Sequence, residues 1–342
     1  MQHEITKPIP LLDDSGALTE PGYAKRMLPV YDRAKVRGGA ARLKEWDYYL
    51  VMGPGFALAL TIADNSYMGL DSISLMDFRE GWQVTKSPMR LLPMGTTGLP
   101  ETSGKGNVAV SGRGYALLFH NDGANRTLTA HMDRFKDGQA LDAHVVLTDE
   151  PEESMVICTP FDKPGHFYFN QKINCMRADG VVALGERRYH FRRGDSFGTL
   201  DWGRGVWTYH NTWYWASASG LLDGIPYGFN VGCGFGDTSA ATENMIFYDG
   251  KAHKLSRVDF LIPRKEGKDD FMGRWDFQSD DGRFEVAFFP VLDRAARTSV
   301  GPIGSDQHQL FGRFRGCMTL DDGTYLVFDD LMGFGEKVEN KW

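Results

Sequence analysis

The chain is poor in cysteine. Cys158, Cys175, Cys233 and Cys317 lie far apart in 342 residues, with no CxxC pair and no metal-finger spacing. That excludes a zinc module and a disulfide-stapled scaffold, and it leaves buried free thiols as the expectation. A basic stripe is missing as well. Acidic residues number 45 against 38 basic ones, a formal charge of -7. The densest basic run, RRYHFRR at residues 187–193, spreads its arginines over both faces of a strand and reads as a solvated edge, so no nucleic acid is expected as partner. No run reaches the roughly 18 apolar residues that a membrane-spanning helix needs. The opening MQHEITKPIPLLDDSG lacks the basic start and apolar core of an export signal. A cytoplasmic protein without stable membrane insertion is expected. GxGxxG after a strand, a P-loop, HExxH and GxSxG are all absent, and the nine histidines form no i,i+2 or i,i+4 pair. No nucleotide, cofactor or metal is expected.

What the chain has in quantity is glycine, 40 residues, and aromatics, 13% of the total. Glycine serves turns and aromatic rings suit pleated surfaces. Residues 1–43 are broken by Pro8, Pro10, Pro21 and Pro29, with at most one short helical turn. From residue 44 onward, short apolar or alternating bursts recur between Gly, Asn and Asp. Turns are read at Asn121-Asp122-Gly123, Ala178-Asp179-Gly180, Asp249-Gly250, and at Asp-Asp-Gly in 280–282 and 321–323. No long amphipathic helix alternates with these strands. The pattern predicts an all-β protein of two antiparallel β-barrel or sandwich domains packed together. The N-terminal domain is placed at 44–195, the C-terminal domain at 196–342, and the irregular segment 1–43 packs on both.

One segment stands apart. LDWGRGVWTYHNTWYWASASG, residues 200–220, holds four of the eight tryptophans. Taken as one strand, it puts Trp202, Arg204 and His210 on one face, and Asp201, Trp207, Tyr209, Asn211, Trp213 and Trp215 on the other. Gly203 and Gly205 leave space beside the rings. Two readings fit: rings that fill a core, or rings that wall a cavity. A dry core seldom mixes Asp, Tyr and Asn with indoles, because each buried polar atom without a partner costs about 1–3 kcal/mol. A second polar-aromatic strand, HFYFNQKIN, aligns His166, Tyr168, Asn170, Lys172 and Asn174; it is either a site wall, with Lys172 or Asn170 polarising a carbonyl, or an exposed edge face. Glu243, near Asp237 and Asn244, can pair with Asp201 as acid and base, since indole walls keep a carboxyl neutral enough to donate a proton. Turn bonding and capping are the plainer account of Asp237 and Thr238.

The stretches RLKEWDYYLV, FYFNQKIN, DWGRGVWTYHNTWYWASASG, GFGDTSAATENMIF, DGKAHKL and GFGEKVENKW resemble a bacterial family, the domain of unknown function DUF2804, over nearly the whole chain. More remotely, DWGRG…TWYWAS is similar to the two-domain lipocalin-like (calycin) proteins, which include carotenoid 1,2-hydratases, AttH-like proteins and Diels–Alderase-type cyclases. The resemblance implies two β domains with an apolar ligand between them or in one barrel. In that setting the first hypothesis is an enzyme that hydrates, isomerises or cyclises a hydrophobic unsaturated molecule. Trp202, Trp207, Trp213 and Trp215 would shape the cavity, with Tyr168 and Lys172 beside them. Asp201 or Glu243 would give the proton, while Tyr209, His210 and Asn170 orient the polar end or a water. Arg204 would hold Asp201 ionised or anchor a carboxylate. A non-catalytic lipid or terpenoid carrier is the alternative, and carbohydrate chemistry a distant third.

Overall fold

The computed structural model describes residues 2–39, 41–300 and 303–341. Two large sheets dominate the described residues. The first has fourteen strands. Its main path runs Trp82–Lys86, Met68–Asp77, Phe56–Asp64, Leu43–Gly53, Phe197–Val206, Phe167–Leu184, Gln139–Thr148, Arg126–Lys136, Tyr115–Asn121 and Gly106–Gly112. The second has nine, and at its centre lie His210–Leu222, Tyr325–Lys341, Ile303–Thr319 and Phe284–Val300. Pairing within both is antiparallel, as the frequent turn signals require. The predicted turn at Asp249-Gly250 joins Met245–Tyr248 to Lys251–Lys254 with φ of 49° and 75°, the two left-handed residues of a tight hairpin. The expected helical turn near the N-terminus is the 3-10 segment Arg33–Lys35, started by Asp32, whose carboxylate accepts from the Ala34 N–H.

The structure departs from the sequence reading at three places. Ala178-Asp179-Gly180 is no turn but the middle of an 18-residue strand, Phe167–Leu184. The glycine is there for close approach: a Cβ on Gly180 would sit 2.2 Å from the His144 carbonyl oxygen and 2.7 Å from Val145 Cα. Both are backbone atoms, so Gly180→Ala is expected to cost about 1–3 kcal/mol of stability. Urea unfolding measures this, and a loss below a few tenths would contradict it. Second, the tryptophan-rich segment is two strands in different sheets, Phe197–Val206 and His210–Leu222, joined by residues 207–209. Third, Phe197–Val206 pairs with Leu43–Gly53 and Phe167–Leu184, so the first sheet runs to Val206, past the boundary at 195.

The N-terminal segment straps the halves together. Gly22–Ala24 joins the first sheet beside Met155–Pro160, while Gln2 reaches the second sheet region, donating to Leu255 O and accepting from Thr242 N. Each sheet folds over its own apolar core. Leu200, Trp202 and Val206 belong to the first, and Phe229, Phe277 and Phe314 to the second. Between the sheets lie two further clusters, and Trp46 and Trp213 contribute to both of them.

Candidate active site

Strand register decides which side chains face the gap between the sheets. Lys172 pairs with Asp201 and Asp201 with Tyr48; Asn170 pairs with Gly203 and Gly203 with Trp46. Directly opposed residues share a face, so Tyr168, Asn170, Lys172, Asp201, Trp46 and Tyr48 all look toward the second sheet. From the other side Trp215 pairs with both Glu336 and Gly232, and Glu336 with Gln309. The spaces expected beside Gly203 and Gly205 are occupied. A Cβ on Gly203 would meet the Trp46 indole at 2.0 Å, and one on Gly205 would meet Phe167 O at 2.5 Å.

Lys172 is the hub. Its ammonium lies 3.0 Å from Asp201 Oδ2 and 3.8 Å from the centre of the Trp215 ring. Asn170 Nδ2 donates to Asp201 Oδ1 at 2.6 Å. Trp215 Nε1 donates to Asn230 Oδ1 (2.7 Å), whose Nδ2 donates to the Glu243 carbonyl (2.9 Å). Glu336 accepts from Trp213 Nε1 at 2.9 Å and from Gln309 Nε2 at 3.0 Å. Three carboxyls thus surround one lysine in a largely desolvated setting. Burial pushes the Glu243 carboxyl up, with Lys172 pulling it back and Asp201 adding to the rise. Burial raises Glu336 in the same way, against the Trp213 hydrogen bond. The Tyr168 phenol is driven well above its ordinary value by burial, then by Glu243 and Asp201, so it stays protonated.

Glu243 differs from the other two acids. Its Oε2 is buried without a hydrogen-bond partner among the described residues. Its flanks are fixed: Lys254 donates to Thr242 Oγ1 and Asn244 O, and Asn244 Oδ1 accepts from Gly232 N. The carboxyl borders a recess lined by Ile157, Thr159, Tyr168, Gly232, Phe235 and Thr238, with room for about one water molecule. The wide cavity anticipated along the tryptophans is filled instead by rings packed edge to face. Trp207 lies 5.3 Å from Trp46, 5.8 Å from Trp213 and 4.8 Å from Phe235.

Of the residues singled out from the sequence, Asp201, Glu243, Tyr168, Asn170, Lys172, Trp207, Trp213 and Trp215 come together here. Trp202 and Arg204 do not. They sit on the opposite face of their strand, inside the first sheet's core. Arg204 is fully buried, stacked 4.0 Å from Trp202, and donates to Asp47 and to the carbonyls of Trp46, Gly203 and Pro100. The cation that meets Asp201 is Lys172, not Arg204. Tyr209 and His210 are exposed where the two sheets join, outside the buried group. Sequence reasoning passed over Glu336, Asn230, Trp46, Tyr48 and Phe235. Glu336 carried a signal: it shares parity with Phe334 and Val338, an acid on the apolar side of a strand.

Fold and site together define an all-β, lipocalin-like protein whose two sheets enclose an aromatic, carboxyl-bearing interface. The chain belongs to the family described as "Domain of unknown function (DUF2804)", which it matches over residues 2–342. No curated protein matches it. Among solved structures it is similar to a protein described as AttH from Nitrosomonas europaea, at 11% identity and a TM-score of 0.53, covering 88% of this chain and 92% of that one. It is also similar to kievitone hydratase from Nectria haematococca (9% identity, TM-score 0.49, 98% of both chains). A third is CghA crystallised with Sch210972 (12% identity, TM-score 0.46, 97% of this chain and 96% of that one). At such identities the likeness to the AttH structure supports the fold alone. No helix among the described residues is long and apolar enough to cross a membrane.

Proposed function

We propose that the chain binds a small apolar, unsaturated molecule between its sheets and that Glu243 donates a proton to it. The observation that carries this reading is the Glu243 carboxyl at the edge of an aromatic recess, with its Oε2 buried and without a hydrogen-bond partner among the described residues. A carboxylic acid protonates a carbon–carbon double bond only in its protonated form, and burial pushes the Glu243 carboxyl toward that form, with Lys172 pulling it back. Protonation places a positive charge on the neighbouring carbon. The Trp213 indole favours that charge, whereas Trp215 already carries the Lys172 ammonium over its ring. The cation then ends in one of three ways: water adds and releases a proton, an adjacent carbon loses a proton, or a second double bond closes a ring. These are hydration, isomerisation and cyclisation; the ring-closed cation must itself lose a proton from an adjacent carbon or take up water, and only with that loss does the carboxylate recover its proton in each route. The aromatic rings are packed between sheets rather than laid out as an open platform, which speaks against sugar chains.

The test is a carboxyl-carbon NMR titration of the wild type and Glu243→Gln. A raised pKa in the fold means that folding favours the protonated form. Glu243 therefore contributes stability that is full below its unfolded value, near 4.5, and lost as pH rises through the raised folded value. One signal should titrate well above 4.5 and vanish in Glu243→Gln, whose stability should fall less steeply as pH rises. If Glu243 titrates like a free glutamate, it is not the acid. With a substrate in hand, Glu243→Gln should abolish turnover and spare affinity; a carrier would show no turnover in either form.

A further inference from the structure

Among the described residues the recess at the aromatic wall has room for about one water molecule, and one of the rings lining it does not come from a strand. Phe235 is buried, yet the residues after it, 236–239, are exposed and outside any strand. It sits between Gly234 and Gly236, with φ of 87° and 69°, both in the left-handed region open to glycine. Its ring enters edge-on among four others: 4.8 Å from Tyr168, 4.8 Å from Trp207, 5.2 Å from Phe161 and 5.3 Å from Trp213. It also lines the recess beside Glu243. The large phenylalanines of the second sheet's core, Phe229, Phe277, Phe284, Phe288 and Phe314, all sit within strands held by ladder hydrogen bonds. The Phe235 segment has lighter moorings. Asp237 N–H donates to Pro160 O at 2.8 Å, and His3 N–H donates to Ala240 O at 2.9 Å.

We infer that Phe235 is a removable plug and that its present seat is the binding place for the ligand's planar, unsaturated apolar group. The inference rests on the reading of Glu243 as the proton donor, since the vacated seat adjoins that carboxyl. When the 234–240 segment swings out on its two glycines, Phe161, Tyr168, Trp207 and Trp213 are left as a cage the size of a six-membered ring. A ligand entering it places its next atoms against Glu243. Binding then competes with the plug, so measured affinity is reduced by the fraction of chains with Phe235 seated.

The test uses toluene as probe on the full chain. In protein carrying 4-fluorophenylalanine at position 235, fluorine NMR should show the buried resonance move, saturably with toluene, to the position of a solvent-exposed ring. Phe235→Ala should bind toluene about tenfold or more tightly than wild type, because nothing has to be displaced. A fluorine resonance unmoved up to the solubility limit of toluene overturns the plug, and so does a Phe235→Ala variant that folds and binds no better than wild type. The labelled protein keeps the test decisive if Phe235→Ala fails to fold. An unmoved plug with a high Glu243 titration sinks this inference and leaves the proposed acid standing. A moving plug with an ordinary Glu243 titration sinks the acid and leaves the plug.

Discussion

Replacing Arg204 by methionine should destabilise the fold by about 3–5 kcal/mol, the usual cost of removing one partner from a buried ion pair. Arg204 is fully buried, and its guanidinium is the charge that meets Asp47 at 3.1 Å and stands 3.9 Å from Glu45. Burial pushes both carboxyls up, and Arg204 is the first influence pulling each back. Without it their folded values climb further. Folding then takes up protons, and the loss should be larger at pH 8 than at pH 5. Arg204→Lys should rescue little. A lysine offers one ammonium where the guanidinium fork reaches Asp47 and three carbonyls at once. Guanidinium unfolding at the two pH values reads out the effect. A loss under about 1 kcal/mol would mean that Arg204 is not the structural cation described here.

Lys172→Met should be nearly as damaging, again about 3–5 kcal/mol. It strands Asp201 and removes the cation that restrains Glu243 and Glu336. The signature is a double-mutant cycle. Asp201→Asn in the Lys172→Met background should recover part of the loss, because the orphaned charge disappears, whereas Asp201→Asn alone leaves an unpaired lysine. Additive losses would show that the two groups do not depend on each other. The remaining carboxyls, both raised in the fold, predict that Lys172→Met is least harmed at acid pH and worsens toward neutrality.

Much of this architecture was open to inspection in the sequence. The Asp249-Gly250 hairpin and both Asp-Asp-Gly turns followed from local chemistry alone, because those residues tolerate the left-handed backbone that turns need. Parity within Phe197–Val206 correctly separated Trp202 and Arg204 from Asp201. Pairing Arg204 with Asp201 ignored that separation, and the structure restores it by supplying Lys172 from the neighbouring strand. Gly180 misled because a glycine that admits a neighbouring backbone looks, in one dimension, like a glycine that turns the chain. The single strand imagined across residues 200–220 failed at Trp207. Trp207, Trp213 and Trp215 still converged, since the two faces meet across one interface, while Tyr209 stayed exposed. Glu336 was marked only as an acid on the apolar side of its strand, and Phe235 was not marked at all: the partners of each lie far along the chain, and register between distant segments is not written in local periodicity.

The strand order also bears on how the protein is made. Trp213 and Trp215 lie on a strand whose ladder partner, Tyr325–Lys341, is synthesised much later. The ladder edge of that strand therefore leaves the ribosome long before the strand that covers it, and during that interval the nascent chain carries an unpaired edge beside two indoles, a place where a holdase would guard against mispairing.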